Sequence, residues 1–326
     1  MFVILSPDEV DMYIDLLADP AEILRSPHLD VVPYAPRVLA LSEHLGIDLS
    51  ATLYALGAIP LCQPRDSHPA VRRAAARMIS ERSGALRAAI PDIIKARCTV
   101  LTEPGRVDVM REVVEPLVSD TLSILADMPI DVAEHAHIGR IFSQTLGVAK
   151  RRKMEHELDQ LVTGLRQTFP DADDETVGLK LSLAILGRDA MIGTLGCTLH
   201  DLVLKLDGAA WSTLAWPETP TRTGVPYIDR VAVQNVTIKG RPVDRGGIVR
   251  AQLDDYETAQ DPRSRLGFFG AGAHLCLGRA LTLDLWSALG SLLAQCAGQP
   301  HLVAFALRRD DVFHIPETLV LEIKTQ

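Results

Sequence analysis

The chain has no Cys-x-x-Cys pair, no long uncharged apolar run, no excess of positive charge, and no repeated or low-complexity tract. Each absence removes a class of protein. The five cysteines (Cys62, Cys98, Cys197, Cys276 and Cys296) are odd in number and scattered, so neither a disulfide framework nor a zinc knuckle is expected. The longest apolar stretch, Leu181 to Leu199, is interrupted by Arg188 and Asp189, which argues against a membrane span. A net charge of −9 gives no support to nucleic-acid binding. The opening, MFVILSPDEVDMYIDLL, lacks the basic start and unbroken apolar core of a secretory signal, so a reduced, cytoplasmic protein is expected. No Pro/Ser-rich linker divides the 326 residues, and a single domain, 1–326, is the expectation.

What is present is mostly helical signal. SPDEVDMYIDLL pairs a serine cap with first-turn acids. The stretch from His68 to Cys98 is rich in Ala and Arg at helical spacing, with a break expected near Pro91. VDVMREVVEPLVSDTLSILADMP, DVAEHAHIGRIFSQTLG and RKMEHELDQLVTGLRQTF read as three further helices. From Asp173 to Leu206 no proline occurs, and acids crowd the start, which predicts one long, mostly apolar helix through the core. The texture then changes. IDRVAVQNVTIKGRPVDRGGIVRAQL alternates apolar and polar residues around glycine turns and reads as two or three antiparallel strands. A helix from about Arg279 to Gln295 and a closing hairpin complete a mainly α chain with a small β region.

The most informative stretch is LGFFGAGAHLCLGRALTLDLW, Leu266 to Trp286. A dinucleotide loop fails, because Leu275 stands where the last glycine should be and no buried strand precedes. A second reading is a glycine-rich turn around an inert cysteine. A third is a thiolate ligand to iron: glycines let backbone N–H groups approach the sulfur, and a helix start just beyond Cys276 favours its anion. Histidines elsewhere, His135, His137 and His156, show no metal-binding pattern.

Phe269-Gly270-x-Gly272-x-His274-x-Cys276-x-Gly278 resembles, position for position, the haem-binding loop of the cytochrome P450 family. The resemblance continues in RDSHPAVRRAAARM, where His68 and Arg72 stand four apart on one helix face, and in PYIDRVAV, which supplies Arg230. It implies a P450-like fold, haem b (iron protoporphyrin IX) with Cys276 as iron ligand, and propionates held by His68, Arg72, Arg230 and His274. LGRDA, Leu186 to Ala190, is similar to the family's central-helix motif: Gly187 and Asp189 are kept, and Ala190 replaces the usual threonine. The family's Glu-x-x-Arg motif is damaged, since Thr219 precedes Arg222 by three and Glu218 is displaced by one. The chain is also short for a bacterial member, with the deficit expected between Pro129 and Asp173, after Leu206 and before the cysteine loop, so reduced peripheral helices are expected.

The resemblance implies a haem-thiolate oxidoreductase acting on a small organic molecule, with monooxygenation in bacterial specialised metabolism as the leading reading. Asp189 would be its distal acid, and a ferredoxin-type electron donor would dock near Arg72, Arg73 and Arg279. Loss of the threonine keeps two alternatives open: peroxide-driven or non-oxidative haem chemistry, and a non-catalytic partner protein.

Overall fold

The computed structural model describes residues 20–143, 145–254, 261–309 and 312–325. The helix expected over SPDEVDMYIDLL lies outside them. The elements run α1 (Pro20–Arg25), β1 (Leu29–Val31), α2 (Tyr34–Leu45), α3 (Ser50–Ala58), α4 (His68–Cys98), β2 (Gly105–Asp108), α5 (Glu115–Ala126), α6 (Val148–Thr168) and α7 (Asp174–Leu206). Then follow β3 (Tyr227–Ala232), β4 (Val236–Ile238), β5 (Arg241–Val243), β6 (Ile248–Gln252), α8 (Arg279–Leu293), β7 (Gln299–Arg309) and β8 (His314–Lys324).

Helix α7 organises the core. Asp173 caps it by accepting the Thr176 N–H at 2.8 Å, and Asp207, in the left-handed region, ends it. Between these caps it is apolar on nearly every side, and α3, α5, α6 and β8 pack around it. At Gly193 the approach is backbone to backbone: a Cβ there would stand 2.4 Å from the His314 carbonyl and 2.7 Å from the Gly224 Cα.

Helix α4 runs unbroken through Pro91, contrary to the expected break. A mid-helix proline costs about 3 kcal/mol. Leu86, Ile90, Ile93, Ile94 and Cys98 are buried on this helix, which packs on α5 and α8. At roughly 1.5–3 kcal/mol for each fully buried aliphatic side chain, that packing outweighs the penalty.

The strands form three antiparallel sheets, ordered β1-β3-β6, β2-β8-β7 and β4-β5. The segment read as two or three strands holds four, because Lys239 and Gly240 both take positive φ and close the tight β4–β5 hairpin. A smaller apolar cluster (Ile23, Leu24, Leu29, Ala232, Val249, Ala251) joins α1 to the first sheet.

The helix expected over DVAEHAHIGRIFSQTLG does not form; turns lead to a short 3-10 segment, Ile138–Phe142. Side chains take the backbone groups that a helix would pair internally. Asp131 accepts the Ala133 N–H, Glu157 of α6 accepts the His137 N–H, and Arg188 of α7 donates to the Val132 carbonyl. After α7, residues 207–226 contain only the 3-10 turn Trp211–Thr213. Residues 127–143 and 207–226 thus hold no α-helix, whereas α6 keeps 21 residues, and part of the third stretch expected to be short, before the cysteine loop, lies outside the described residues.

Candidate functional site

The cysteine loop is shaped by two left-handed glycines, Gly270 (φ +76°) and Gly272 (φ +66°), a conformation that costs other residues strain. The 3-10 segment Ser264–Phe269 ends at Gly270, and the Cys276 N–H returns to the Phe269 carbonyl at 2.8 Å, closing the loop. Gly278 stands at the mouth of α8, and a Cβ there would meet the Cys276 Sγ at 3.8 Å. The Gly278 and Arg279 N–H groups, at the start of α8, favour the thiolate. Burial pushes the thiol up, while those two N–H groups and the Arg72 and Arg279 guanidinium groups oppose the rise. Cys276 nevertheless has solvent-accessible surface, and it is the one exposed cysteine.

Basic side chains from three elements meet beside this loop. His68, the first residue of α4, is buried, and its ring lies 4.0 Å from that of His274. Arg72, one turn along, donates to the Leu275 carbonyl at 2.5 Å and so holds the loop directly. Arg230 comes from the centre of the first sheet, opposite Val31 and Val249. Its neighbour Asp229 is engaged by Arg250, at 2.9 and 3.1 Å, so that carboxylate is already occupied. His68 Nε2 and one terminal nitrogen of Arg230 are buried without a hydrogen-bond partner. Burial, then Arg230, His68, Arg72 and Arg65, push the His274 imidazole down to about 3. Burial, Arg72 and Arg230 likewise lower His68, against a weaker pull from Asp30. This wall is short of negative charge.

The central-helix residues divide between two faces of α7. Leu183, Leu186, Gly187, Ala190, Met191 and Thr194 form a partly open stripe at helical spacing. Asp189, expected as a distal acid, is not on it. Its side chain is fully buried and paired with Arg188, whose guanidinium also donates to the Val132 carbonyl at 2.7 and 3.0 Å. One Asp189 carboxylate oxygen has no hydrogen-bond partner and presses on Gly139, where any Cβ would collide with it. The carboxylate therefore faces the 131–142 segment. Gly187, for its part, admits Leu122 of α5, whose Cδ2 would lie 2.6 Å from a Cβ.

Arg222 does not sit on a helix, and Glu218 is exposed. The Arg222 guanidinium lies 3.6 Å from Asp201 and 3.9 Å from Asp254. Neither Asp201, a single acid near the end of α7, nor Arg65 belongs to any motif readable in the sequence. Among the described residues no group of three His, Cys, Asp or Glu side chains comes together as a metal site, and no helix is long and apolar enough to cross a membrane.

Solved structures share this architecture over most of the chain. CalO2 matches with TM-score 0.76 at 17% identity, covering 94% of this chain and 89% of that one. The tirandamycin C-bound P450 monooxygenase TamI gives 0.75 at 18% identity, covering 94% and 88%. P450BioI, solved in complex with a hexadec-9Z-enoic acid ligated acyl carrier protein, gives 0.70 at 18% identity, covering 94% and 90%. The chain has the cytochrome P450 fold. No family model matches the sequence, and no curated protein matches it.

Proposed function

We propose that residues 1–326 act as one haem-thiolate oxidoreductase unit, with haem b bound through Cys276 and its propionates held by His68, Arg72, Arg230 and His274. The observation that carries this reading is the pairing of two incomplete features. An exposed thiol stands at a helix start whose N–H groups favour its anion, and beside it stands a basic wall with buried, unpartnered nitrogens on His68 and Arg230. A haem offers what each lacks: iron for the sulfur and two carboxylates for the wall. Phe269, Gly270 and Gly278 shape the loop that presents the sulfur. When bound, the group supplies redox chemistry at an iron made electron-rich by its thiolate ligand.

The protein's own side chains then hold and orient. Arg72 couples the two features, since it touches both the loop carbonyl at Leu275 and the electrostatic surroundings of His68 and His274. The open stripe of α7 offers aliphatic side chains to a small organic substrate, while the Thr194 hydroxyl is engaged by the Gly224 N–H at 2.9 Å. Arg73 is exposed and Arg279 half-buried, a basic patch suited to an acidic, ferredoxin-type electron donor.

One observation favours a second reading. Ala190 has no hydroxyl, and Asp189 is turned away from the open stripe into its pair with Arg188. Neither residue is placed to move a proton there, which favours peroxide-driven or non-oxidative chemistry over dioxygen-dependent monooxygenation. Spectroscopy of the ferrous carbonyl complex tests the shared premise: wild type shows the thiolate-type red shift, and Cys276→Ala abolishes it. A mutant that keeps the shift transfers the ligand role away from Cys276. Turnover with NADPH and ferredoxin, set against turnover with hydrogen peroxide, separates the two chemistries.

A further inference from the structure

We propose that Arg65 is a positioning residue for the Cys276 loop, closing a triangle of three segments: the entry to α4, the α1–β1 turn and the loop itself. Each side of the triangle is a direct contact. Arg72 of α4 donates to the Leu275 carbonyl, which ties helix to loop. Gly272 ties the loop to α1. At φ +66° it lies so near the end of that helix that a Cβ would stand 3.1 Å from the Leu24 carbonyl oxygen and 3.2 Å from the Arg25 Cγ. Arg65 ties the turn back to α4, since one terminal nitrogen of its guanidinium donates to the Ser26 carbonyl at 3.1 Å and to the Leu29 carbonyl at 2.9 Å. β1 is the edge strand of its sheet: the His28 carbonyl accepts the Val233 N–H, and the next carbonyl, that of Leu29, goes to Arg65.

The same turn also sets the basic wall. β1 pairs with β3, where Val31 stands opposite Arg230. On the α4 side, the Pro64 carbonyl accepts the Ser67 N–H at 3.1 Å and the His68 N–H at 2.9 Å, so Arg65 lies inside the turn that presents His68. Arg65 therefore joins the segments that carry His68 and Arg72, Arg230 and Cys276. Leu24 and Ala271 are buried in one apolar cluster, so a turn that shifts carries the loop with it. Arg65 itself is exposed, and its replacement opens no cavity. What a substitution removes is donation to two backbone carbonyls from a charged group.

The inference rests on the haem reading for two of its four readouts. Arg65→Met should lower haem content by about 10-fold, the scale seen when supports of a metal ligand are removed. It should also move part of the ferrous carbonyl band to the thiol-type position. In the haem-free protein, amide exchange across Ser26–Val31 and across Gly270–Cys276 should speed up together by about 10-fold, as expected when hydrogen bonds from a charged donor are lost. Cys276 alkylation, mapped by peptide mass spectrometry, should speed up with them. Arg97→Gln, which breaks an exposed pair between α4 and Asp120, should leave all four readings at wild-type values. Faster exchange confined to Ser26–Val31 would make Arg65 a local brace and overturn the proposal. Lost haem with exchange and alkylation unchanged would make Arg65 a direct partner of the cofactor, which overturns it too. Should Arg65→Met fail to fold, Arg65→Gln, neutral and too short to span both carbonyls, is judged by the same outcomes. A wild type that binds no haem sinks the proposed function alone, because exchange and alkylation still read the loop.

Discussion

Trp216 and Trp286 lock two segments together: the Trp216 indole N–H donates to the Trp286 carbonyl at 3.2 Å, and the Trp286 indole N–H donates to the Pro217 carbonyl, next to Trp216, at 2.7 Å. Their rings lie 4.4 Å apart, and Trp216 covers Gly290 of α8 so closely that a Cβ there would stand 2.3 Å from the indole. This clasp holds the irregular segment after α7 onto the helix that follows the cysteine loop. Gly290→Ala, which in an open helix would gain about 1 kcal/mol, should instead destabilise by about 1–3 kcal/mol through overpacking. Adding Trp216→Ala should remove the steric part of that cost. Denaturant unfolding of the two single variants and the double variant measures both effects.

The basic wall predicts graded haem retention. A hydrogen bond to a charged group contributes about 1.5–3 kcal/mol, so Arg72→Ala combined with Arg230→Ala should leave much of the purified protein haem-free. The ratio of Soret to protein absorbance reports it. Full occupancy in the double variant would remove both residues from the binding scheme.

The Arg188–Asp189 pair should behave as a buried unit. Arg188→Met alone leaves a fully enclosed carboxylate without its cation and should cost about 3–5 kcal/mol. Arg188→Met with Asp189→Asn should cost far less, since no charge is then stranded. Equal losses in the single and double variants would contradict the pairing.

Asp201 gives a pH signature. Burial pushes its carboxyl up, but the Thr221 hydroxyl, Lys205 and Arg222 together outweigh burial and hold it below the ordinary 3.8. A depressed carboxylate stabilises the fold above its unfolded-state value and loses that contribution as pH falls through its folded-state value. The stability gap between wild type and Asp201→Asn should therefore be full at neutral pH and close below pH 3.8. His200, Lys205 and Arg222 are the titratable groups that interact with it, and burial lowers the His200 imidazole from its ordinary value. Unfolding curves at stepped pH, compared between the two proteins, check the direction.

Local signals made the cysteine loop legible, because left-handed glycines, a thiol and a helix start all lie within ten residues. The long α7 was legible for the same reason: its cap and acidic first turn are contiguous with an unbroken apolar run. Pro91 misled, since the packing that carries α4 past it comes from α5 and α8. The segment around His137 misled because Glu157 and Arg188, far along the chain, claim its backbone. Asp189 could be placed on α7 from sequence but not on a face of the site, as that depends on where the 131–142 segment folds. Asp201 was silent because Thr221 and Arg222 give it meaning only in three dimensions.

The contact between Gly193 and Gly224 bears on how this chain can vary. Neither position can accept a side chain while the other segment and the His314 carbonyl stay where they are. The two glycines therefore constrain one another across generations as a single character. A variant at Gly193 becomes tolerable only after the start of β8 has shifted, and one at Gly224 only after α7 has moved away. Library designs that randomise the open stripe of α7, from Leu183 to Thr194, do best to leave Gly193 untouched, or to vary it only together with Gly224 and the residues around His314.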